Sequence, residues 1–360
     1  MMKVAIVGAG SIAFAMAAFV EQQGHAATLW SPSGARTRAL ARGEPLVASG
    51  AIEGSFRPAV ADSAERLIAG AEAIVVALPA YGHRHVFDRI APFVASGQTV
   101  IVSSHASFGA LYLSRLLSGR GIAAPIVAWG TTLLSGRQAS STEVRVNTVR
   151  QKVDLATVPT AASDQGLALC RTLFGDRFVD RGSLLAIALS NLNPQNHMGI
   201  ALGNMTRMER GEAWGQSQNV TPNVGRLLEA LDRERIAIAD VLGLQVRTIF
   251  DHFHLSFGVP VGPVSEMNQA MHEAGKGGTG PATADSRYVT EDVPFGLVVT
   301  ARLGRLVARP ADLHEAGIHL FSALYGRDFT AENDLLAALD FERMPLARLQ
   351  ALCRDGCAGT

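Results

Sequence analysis

One polar segment in the second half of this sequence carries the side chain best suited to acid–base chemistry. It interrupts an otherwise apolar helical pattern and reads Ser190-Asn191-Leu192-Asn193-Pro194-Gln195-Asn196-His197. Pro194 cannot donate a hydrogen bond to the carbonyl of Ser190, so a helix is expected to start or kink here and to expose side chains. Histidine titrates near neutral pH, which makes His197 a candidate general acid/base. On this segment alone, a hydrogen-bonded structural histidine is the stronger interpretation.

Two charged side chains further along the chain could work with this histidine. They lie in the segments Ser286-Arg287-Tyr288 and Glu291-Asp292-Val293-Pro294. Asp292 could orient His197 and stabilise its protonated form, or it could cap the helix ahead of Pro294. Arg287 could bind a substrate carboxylate or be an ordinary surface charge. The residues alone leave these alternatives open.

A glycine motif near the N-terminus predicts a site for a dinucleotide. The residues Gly8-Ala9-Gly10-Ser11-Ile12-Ala13 fit G-x-G-x-x-A, directly after the apolar run Val4–Val7 and before a helical pattern. Gly8 allows a tight turn, Gly10 lets the backbone approach a pyrophosphate, and Ala13 lets the helix pack close to the strand. The helix N-terminus, at Ser11 and Ile12, then faces the phosphates. A glycine turn without a ligand is the alternative.

The loop after the second predicted strand indicates which dinucleotide is preferred. It reads Trp30-Ser31-Pro32-Ser33-Gly34-Ala35-Arg36 and lacks the carboxylate that usually binds the ribose of NAD. Ser31, Ser33 and Arg36 could hold a 2′-phosphate instead, since arginine donates two hydrogen bonds to a phosphate at once. NADP(H) is therefore favoured over NAD(H). The alternative is that Arg36 and Arg38 are a solvated helix face.

The elements that position these residues change character along the chain. Strand-like apolar runs alternate with helical patterns in the first half: Val4–Val7, Ala26–Trp30, Ile74–Leu78, Thr99–Ser103, Pro125–Ala128 and a strand pair in Glu143–Val158. Long helical patterns dominate from about Leu184 onward. The order predicts an α/β N-terminal domain with a Rossmann-type doubly wound sheet, residues 1–182, and an all-α C-terminal domain, residues 183–360.

Composition excludes several other classes of protein. Lys+Arg and Asp+Glu both total 32, and this balance argues against a nucleic-acid binder. The three cysteines are too few and scattered for a disulfide framework and favour a reducing, cytoplasmic location, with no metal site expected. The uncharged run Val4–Val20 resembles a signal-peptide core, but its glycines and the strand that follows indicate folded protein. No segment is expected to span a membrane.

Taken together, these segments resemble the opine dehydrogenases of the octopine and nopaline synthase type. The resemblance covers most of the chain and rests chiefly on Asn-x-Asn-Pro-x-x-His at 191–197 with Arg-Tyr-x-x-Glu-Asp at 287–292. It also includes the glycine motif, Leu78-Pro79-Ala80, Thr221-Pro222 and Asp232-Arg233-Glu234-Arg235. Two departures stand out: Met198 replaces a proline that often follows the histidine, and His105 lies in a loop that is usually glycine-rich. Both residues could lie near the substrate.

The resemblance implies a reaction and assigns roles to residues. Such enzymes condense the α-amine of an L-amino acid with a 2-oxo acid such as pyruvate and reduce the imine with NAD(P)H. His197 would be the acid/base and Asp292 its partner, with Arg287 and Asn193 at the substrate and Pro79 at the cofactor. The helical domain would close over the nucleotide domain. A homodimer remains open.

Two other functions remain as alternatives. A β-hydroxyacid dehydrogenase or ketopantoate reductase has a similar architecture but uses a lysine of its helical domain, and no lysine lies between Ser183 and Gly275. A non-catalytic NADP-binding sensor would need no acid/base residue at all. Loss of activity on replacing His197 would separate an enzyme from a sensor.

Overall fold

The computed structural model describes residues 1–357, which form two compact units. The first comprises Met1–Ile187 together with the C-terminal segment from Ala347, and the second is Ala188–Leu346. The first unit is an α/β domain and the second is helical, which confirms the expected fold class. We expected the helical domain to continue to residue 360, and here the structure differs.

The C-terminal segment groups with the first unit because it is tied to one of that unit's helices. The backbone N–H of Cys357 donates to Oγ of Ser114 at 2.9 Å. The Ser118 hydroxyl in turn donates to the carbonyl of Cys357 at 2.8 Å. The helix that precedes Cys357 buries Leu349 and Leu352. These contacts join residues more than 200 positions apart, and no local sequence pattern encodes them.

Within residues 1–357, twelve strands, all in the first unit, form two sheets. They are β1 (Lys3–Val7), β2 (Ala26–Trp30), β3 (Leu46–Gly50), β4 (Gly54–Phe56), β5 (Ala59–Val60), β6 (Ala73–Val76), β7 (Thr99–Val102), β8 (Ile126–Trp129), β9 (Leu134–Gln138), β10 (Glu143–Val149), β11 (Val153–Val158) and β12 (Phe178–Asp180). The larger sheet has the order β12-β11-β8-β7-β6-β1-β2-β5. Its strands from β8 to β5 are parallel, and β11 runs antiparallel to β8.

The order of the larger sheet reverses on the two sides of β1. The chain moves from β1 to β2 and β5 in one direction, and then returns to build β6, β7 and β8 in the other. Ligands of doubly wound sheets bind at the carboxyl ends of the strands beside such a reversal. The glycine motif directly follows β1 and therefore lies at this position.

The smaller sheet, with the order β4-β3-β10-β9, explains the unusually apolar first helix. That helix buries every residue from Ala13 to Val20, because it packs in one core with both sheets. Core residues such as Leu46 and Val146 come from the smaller sheet. The predicted strand pair in Glu143–Val158 is wrong as a pair: β10 joins the smaller sheet and β11 the larger one. The alternation of polar and apolar residues suits β10, which has one covered face, whereas β11 is almost wholly buried.

The helices divide between the units. In the first unit they are α1 (Ser11–Gln22), α2 (Arg38–Ala41), α3 (Ala64–Ile68), α4 (His83–Ile90), α5 (Gly109–Ser118), α6 (Ser163–Phe174) and, at the C-terminus, α16 (Leu346–Asp355). Helix α7 (Leu184–Ser190) crosses the boundary. The second unit holds α8 (Asn193–Glu209), α9 (Pro222–Val241), α10 (Ile249–Phe257), α11 (Val264–Glu273), α12 (Arg287–Thr290), α13 (Val298–Leu306), α14 (Asp312–Tyr325) and α15 (Asp334–Ala338). Among residues 1–357, no helix has the length and apolarity that crossing a membrane requires.

Candidate active site

The acid–base residues predicted from the sequence meet in the helical unit. His197 lies in α8 and Asp292 directly precedes a single π-helical turn, Val293–Leu297. Nδ1 of His197 is 2.6 Å from Oδ2 of Asp292. Asp292 occupies the N-cap position of the π turn, yet its side chain makes no capping hydrogen bond there. Of the two alternatives left open by the sequence, the structure therefore shows the contact with the histidine.

A glycine allows the two helix starts to approach each other. Helix α7 ends at Ser190 and helix α8 begins at Asn193 with Pro194 in its first turn, so a new helix starts at the proline, one of the two outcomes expected from the sequence. Gly296 of the π turn lies against this proline, where an added Cβ would be 2.2 Å from Cγ of Pro194. Single π turns often occur at functional sites because they re-aim neighbouring side chains. Here the close approach brings Asp292 to the first turns of α8.

A buried ionic network fixes the position of the start of α8. Nε2 of Gln195 donates to Oδ1 of Asp232 at 2.8 Å. The same oxygen accepts from Arg235, which is 1% exposed and also donates to the carbonyl of Leu189 in α7. Removing one partner from such a pair leaves a buried charge uncompensated, so the network constrains the geometry strongly. The start of α8 is thereby fixed two residues before His197.

The contact with Asp292 determines which ring nitrogen of His197 can exchange protons. A carboxylate accepts hydrogen bonds, so the proton of the neutral imidazole is assigned to Nδ1. Nε2 then carries the lone pair, and it has no hydrogen-bonding partner among residues 1–357. The side chains of His197 and Asp292 are 18% and 13% exposed. This arrangement can accept a proton at Nε2 and stabilise the resulting imidazolium through Asp292.

The ring of Tyr288, which was not among the predicted site residues, stacks on the imidazole of His197. The rings of His197 and Tyr288 stack with their centroids 3.6 Å apart and their planes within 7°. Tyr288 follows Arg287 in α12, so the sequence placed it beside a candidate residue. Its stacking depends on how α12 packs against α8, and no spacing along the chain encodes that packing.

The two predicted substrate-binding residues, Arg287 and Asn193, are more exposed than the acid–base pair. Nε of Arg287 is 2.6 Å from Oε2 of Glu291, and the arginine side chain is 71% exposed. Asn193 is exposed at the first residue of α8, and its backbone N–H donates to Oδ1 of Asn191 at 3.1 Å. Both lie on the segments that carry the acid–base pair. Their roles stay predictions.

The turn between β1 and α1 fits the phosphates of a dinucleotide. Gly8 has φ +138°, and a Cβ there would be 2.4 Å from the carbonyl oxygen of Ala77. A Cβ on Gly10 would point into open space in front of α1, which has no side-chain N-cap. The first N–H groups of a helix and its dipole favour an anion in such a position. The missing side chain at Gly10 leaves room for one.

The remaining residues of the glycine motif serve the packing around this turn. Oγ of Ser11 accepts from the backbone N–H of Gln138 in β9 at 2.9 Å, so this hydroxyl already joins α1 to the smaller sheet. Ile12 is half-buried and Ala13 is fully buried. The Ala13 methyl would lie 3.3 Å from a Cβ on Gly8, which agrees with the close helix–strand packing expected from the motif.

The loop after β2 presents an exposed arginine and a buried hydroxyl. Arg36 is exposed and forms no ion pair within residues 1–357. Oγ of Ser31 is buried without a hydrogen-bond partner in the same part of the chain, and Oγ of Ser33 accepts from the N–H of Ala35 at 3.4 Å. The orphaned hydroxyl and the unpaired cation suit a phosphate. Pro79 begins the turn after β6, where its carbonyl accepts from Gly82 at 3.0 Å.

The two departures from the expected pattern are both buried. Met198 packs against α14, where it would be 2.2 Å from a Cβ on Gly317. His105 lies in the loop after β7, and both of its ring nitrogens lack partners among the described residues. Burial, together with the charge of His83, lowers the pKa of His105 to about 3. Met198 is thus a core residue of the helical unit, and His105 a core residue of the α/β unit.

Within residues 1–357, no three His, Cys, Asp or Glu side chains are grouped to hold a metal ion. The three cysteines, at positions 170, 353 and 357, are free and buried. Burial raises the pKa of the Cys170 thiol to about 12, which removes it as a nucleophile near neutral pH. The acid–base pair therefore remains the group of side chains best suited to catalysis.

Comparisons with known proteins match the two halves of the chain separately. Residues 180–325 match the family described as NAD/NADP octopine/nopaline dehydrogenase, alpha-helical domain. Residues 4–155 match the family described as ketopantoate reductase PanE/ApbA. The first match contains both His197 and Asp292, and the second contains the glycine motif and the loop after β2.

Whole-chain comparisons agree with the match of the helical half. An opine dehydrogenase of Arthrobacter sp. (strain 1C) is 30% identical over 353 residues, which cover 96% of this chain and 97% of that protein. Octopine dehydrogenase, solved with NADH and L-arginine, has a TM-score of 0.81 at 16% identity and covers 98% of both chains. Yersinopine dehydrogenase, solved with NADP⁺, has a TM-score of 0.70 at 16% identity and covers 96% of this chain and 99% of that one. These two structures share the fold.

Proposed function

The chain belongs to the opine dehydrogenase family, and we propose that it reductively joins the α-amine of an amino acid to a 2-oxo acid with NAD(P)H. The product would be an N-(carboxyalkyl)amino acid, and the reverse oxidation would use the same site. The observation that carries this proposal is the hydrogen bond between His197 and Asp292, because condensation requires repeated proton transfers.

His197 performs the proton transfers of the condensation at Nε2. When the amine attacks the keto carbon, Nε2 accepts a proton from nitrogen, and Asp292 stabilises the imidazolium that forms. The imidazolium returns this proton to the oxygen of the former keto group, which gives the carbinolamine. A second proton, taken up from solvent at Nε2, is then donated to the hydroxyl, which leaves as water while the nitrogen lone pair forms the C=N bond of the protonated imine. The nicotinamide, when bound, supplies the hydride that reduces the imine carbon. A single histidine can serve both directions because each transfer uses the same nitrogen.

We propose that the glycine turn and the loop after β2 bind NADP(H) in preference to NAD(H). Gly10 and the start of α1 would hold the pyrophosphate. Ser31, Ser33 and Arg36 would hold the 2′-phosphate, because this loop contains no carboxylate to bind a free ribose hydroxyl. The solved relatives leave the preference open, since octopine dehydrogenase was solved with NADH and yersinopine dehydrogenase with NADP⁺.

The substrates are proposed from the chemistry of the reaction and from the relatives. Both substrates carry a carboxylate, and Arg287 and Asn193 are the residues we propose to contact them. Octopine dehydrogenase is described with L-arginine in one structure and with pyruvate in another. A 2-oxo acid of this size is thus our first choice for the assay. The free thiols of the chain accord with the cytoplasmic location we propose.

A second candidate function, simple reduction of a 2-oxo acid, is suggested by the family match over residues 4–155. Enzymes of that type use a lysine in the helical domain, as discussed above. Lys276 is the one lysine within Ala188–Leu346, and its Nζ donates to the carbonyl of Phe257 at 2.9 Å. This contact gives Lys276 a structural role, so the histidine-based condensation is the better-supported function.

The assay that separates these functions compares matched mixtures. The protein is incubated with NADPH, pyruvate and each of the twenty amino acids, and the loss of nicotinamide absorbance is followed. A mixture without amino acid detects plain 2-oxo acid reduction, and mass spectrometry detects the N-(carboxyalkyl) product. Oxidation that depends on both substrates supports the proposal. Oxidation without any amino acid would identify a simple reductase, and binding of NADPH without turnover would identify a sensor.

A further inference from the structure

The imidazole of His197 is restrained on one edge and on one face, by two different side chains. Asp292 holds the Nδ1 edge at 2.6 Å, and the ring of Tyr288 covers a face at 3.6 Å with an interplanar angle of 7°. A hydrogen bond to one edge still permits the ring to tilt. A second ring stacked in parallel opposes that tilt, because tilting would drive the imidazole into the phenol.

Tyr288 is itself anchored at its far end. Its hydroxyl donates to Oε1 of Gln216. The backbone N–H of Gln216 donates to the carbonyl of Gly278 at 3.1 Å, next to a β-bridge between Gly215 and Thr279. Tyr288 is therefore restrained at two points. Its ring stacks on His197, and its hydroxyl is bonded to Gln216, which belongs to a short backbone ladder.

The ladder explains the glycine-rich loop that interrupts the helical half. The N–H of Gly280 donates to the carbonyl of Trp214 at 2.9 Å, and the indole N–H of Trp214 donates to the carbonyl of Pro281 at 3.0 Å. A Cβ on Gly280 would be 2.3 Å from the indole ring, so only glycine lets the loop close on the tryptophan. The glycine-rich loop and residues 214–216 are thus joined by hydrogen bonds, and together they fix the position of Gln216, which binds the Tyr288 hydroxyl.

We propose that Tyr288 is a positioning residue that keeps Nε2 of His197 directed at the substrate and stabilises the imidazolium through its ring face. This inference rests on the proposed function of His197 as the acid/base. A phenol face attracts a cation placed over it, and the attraction grows when the site is dry. Stacking of the Tyr288 ring against an uncharged imidazole is weaker. This ring, hereafter the platform, therefore favours the protonated state of His197 that forms during condensation. Its contribution therefore belongs to kcat more than to substrate affinity.

Two substitutions separate the ring from the hydroxyl. Tyr288→Leu removes the platform, and we expect kcat to fall about 10-fold or more, within the range of general acid–base catalysis. KM for both substrates and the affinity for NADPH should change less than about twofold. Tyr288→Phe keeps the ring and loses the bond to Gln216, so it should retain most of kcat. Tyr325→Leu is the matched control, because Tyr325 is also half-buried, with its hydroxyl 2.6 Å from the carbonyl of Ala284.

A spectroscopic readout tests the platform without any turnover. In protein labelled with ¹⁵N-histidine, the resonances of His197 are assigned by their absence from His197→Ala. We expect its ring protons to show an upfield ring-current shift in the wild type and in Tyr288→Phe. In Tyr288→Leu the shift should vanish, whereas the Nδ1–H tautomer should remain, because Asp292 still accepts the hydrogen bond from Nδ1.

The outcomes distinguish this inference from the proposed function. If His197→Ala abolishes turnover while Tyr288→Leu keeps kcat within twofold of wild type, the positioning role is wrong and the proposed function stands. A wild-type spectrum without the ring-current shift would also overturn the inference, even if Tyr288→Leu failed to fold. Should the wild type show no condensation at all, the proposed function fails, and the labelled spectra still decide whether the platform holds the imidazole.

Discussion

The chemistry that we propose for the helical unit depends on one nitrogen of the His197 imidazole. Nδ1 of His197 is committed to Asp292, one ring face is covered by Tyr288, and Nε2 remains for proton exchange. In the α/β unit, the corresponding residue is Arg36, an exposed cation in the loop after β2 that we propose to hold the 2′-phosphate. Each of these roles can be tested by a substitution that leaves the surrounding backbone unchanged.

The first prediction concerns the acid–base pair. His197→Ala should lower kcat about 10²- to 10⁴-fold, the range typical of general acid–base catalysis. Asp292→Asn should also be severe, because an amide neither stabilises imidazolium nor selects the Nδ1–H tautomer. Steady-state kinetics in both directions would measure these losses, and NADPH affinity should be unaffected. The double variant should be little worse than His197→Ala, because the two side chains act as a unit. Near-normal kcat in His197→Ala would refute the assignment.

The second prediction concerns the choice of cofactor. Arg36→Ala should weaken NADPH binding about 10- to 150-fold, as expected for losing a charge-assisted hydrogen bond, while NADH binding stays nearly unchanged. Arg38→Ala is the matched control, since Arg38 is an exposed arginine two residues further on. Titration of each protein with both cofactors measures the effect. Equal losses for the two cofactors, or a wild-type preference for NADH, would show that this loop does not bind a 2′-phosphate.

At the scale of elements, glycines decide how closely the functional segments approach each other. Gly8 ends β1 with a positive φ, Gly10 opens the space in front of α1, and Gly296 lets the π turn lie on Pro194. Each position lacks a side chain for a different reason: backbone conformation, room for a ligand, and packing between two helix starts. The first two of these reasons make different predictions about the free energy of unfolding.

The third prediction separates folding from cofactor binding in the β1–α1 turn. Gly8→Ala should destabilise the protein by about 1–3 kcal/mol or more, because φ is +138° and the new Cβ would meet the Ala77 carbonyl at 2.4 Å. Gly10→Ala should leave the free energy of unfolding almost unchanged, since its Cβ meets nothing within 4 Å. It should still weaken NADPH binding about 10-fold or more by intruding on the pyrophosphate. Urea denaturation and NADPH titration test both. Normal NADPH affinity in Gly10→Ala would place the phosphates elsewhere.

At the scale of the whole molecule, stability depends on pH through two buried histidines of the α/β unit. Burial lowers the pKa of His83 to about 4 and that of His105 to about 3, from an ordinary value of 6.5. In the unfolded chain both would take up a proton near pH 6.5. Protons therefore bind more tightly to the unfolded state, and the free energy of unfolding falls as the pH falls from about 6.5 toward 4.

The fourth prediction measures this dependence. Between pH 7 and pH 5, each of the two histidines should remove about 2 kcal/mol from the free energy of unfolding, because one pH unit corresponds to about 1.36 kcal/mol per proton. His105→Gln removes one titrating group, so the difference between pH 7 and pH 5 should shrink by about 2 kcal/mol. His25→Gln, at a half-buried histidine of the same unit, is the control. An unchanged difference in His105→Gln would mean that His105 is charged or exposed in the native state.

Local sequence determined much of this protein. The β1–glycine–α1 turn, the alternation of strands and helices and the start of α8 at Pro194 follow from backbone preferences and periodicity over a few residues. The residue types of the acid–base pair were also recognisable, because histidine and aspartate carry their chemistry wherever they lie. What the sequence left open was whether Asp292 caps a helix or contacts His197.

Only the tertiary structure decided the arrangements that join distant segments. The His197–Asp292 contact spans 95 positions, and the stacked Tyr288 belongs to a third element. The smaller sheet was missed because it joins two local strand pairs, β3–β4 and β9–β10, through a pairing of β3 with β10 that places Val47 beside Glu143. The C-terminal segment joins the first unit through contacts with α5. Such contacts depend on packing and on hydrogen bonds between residues far apart in the chain, and periodicity reports only on neighbours.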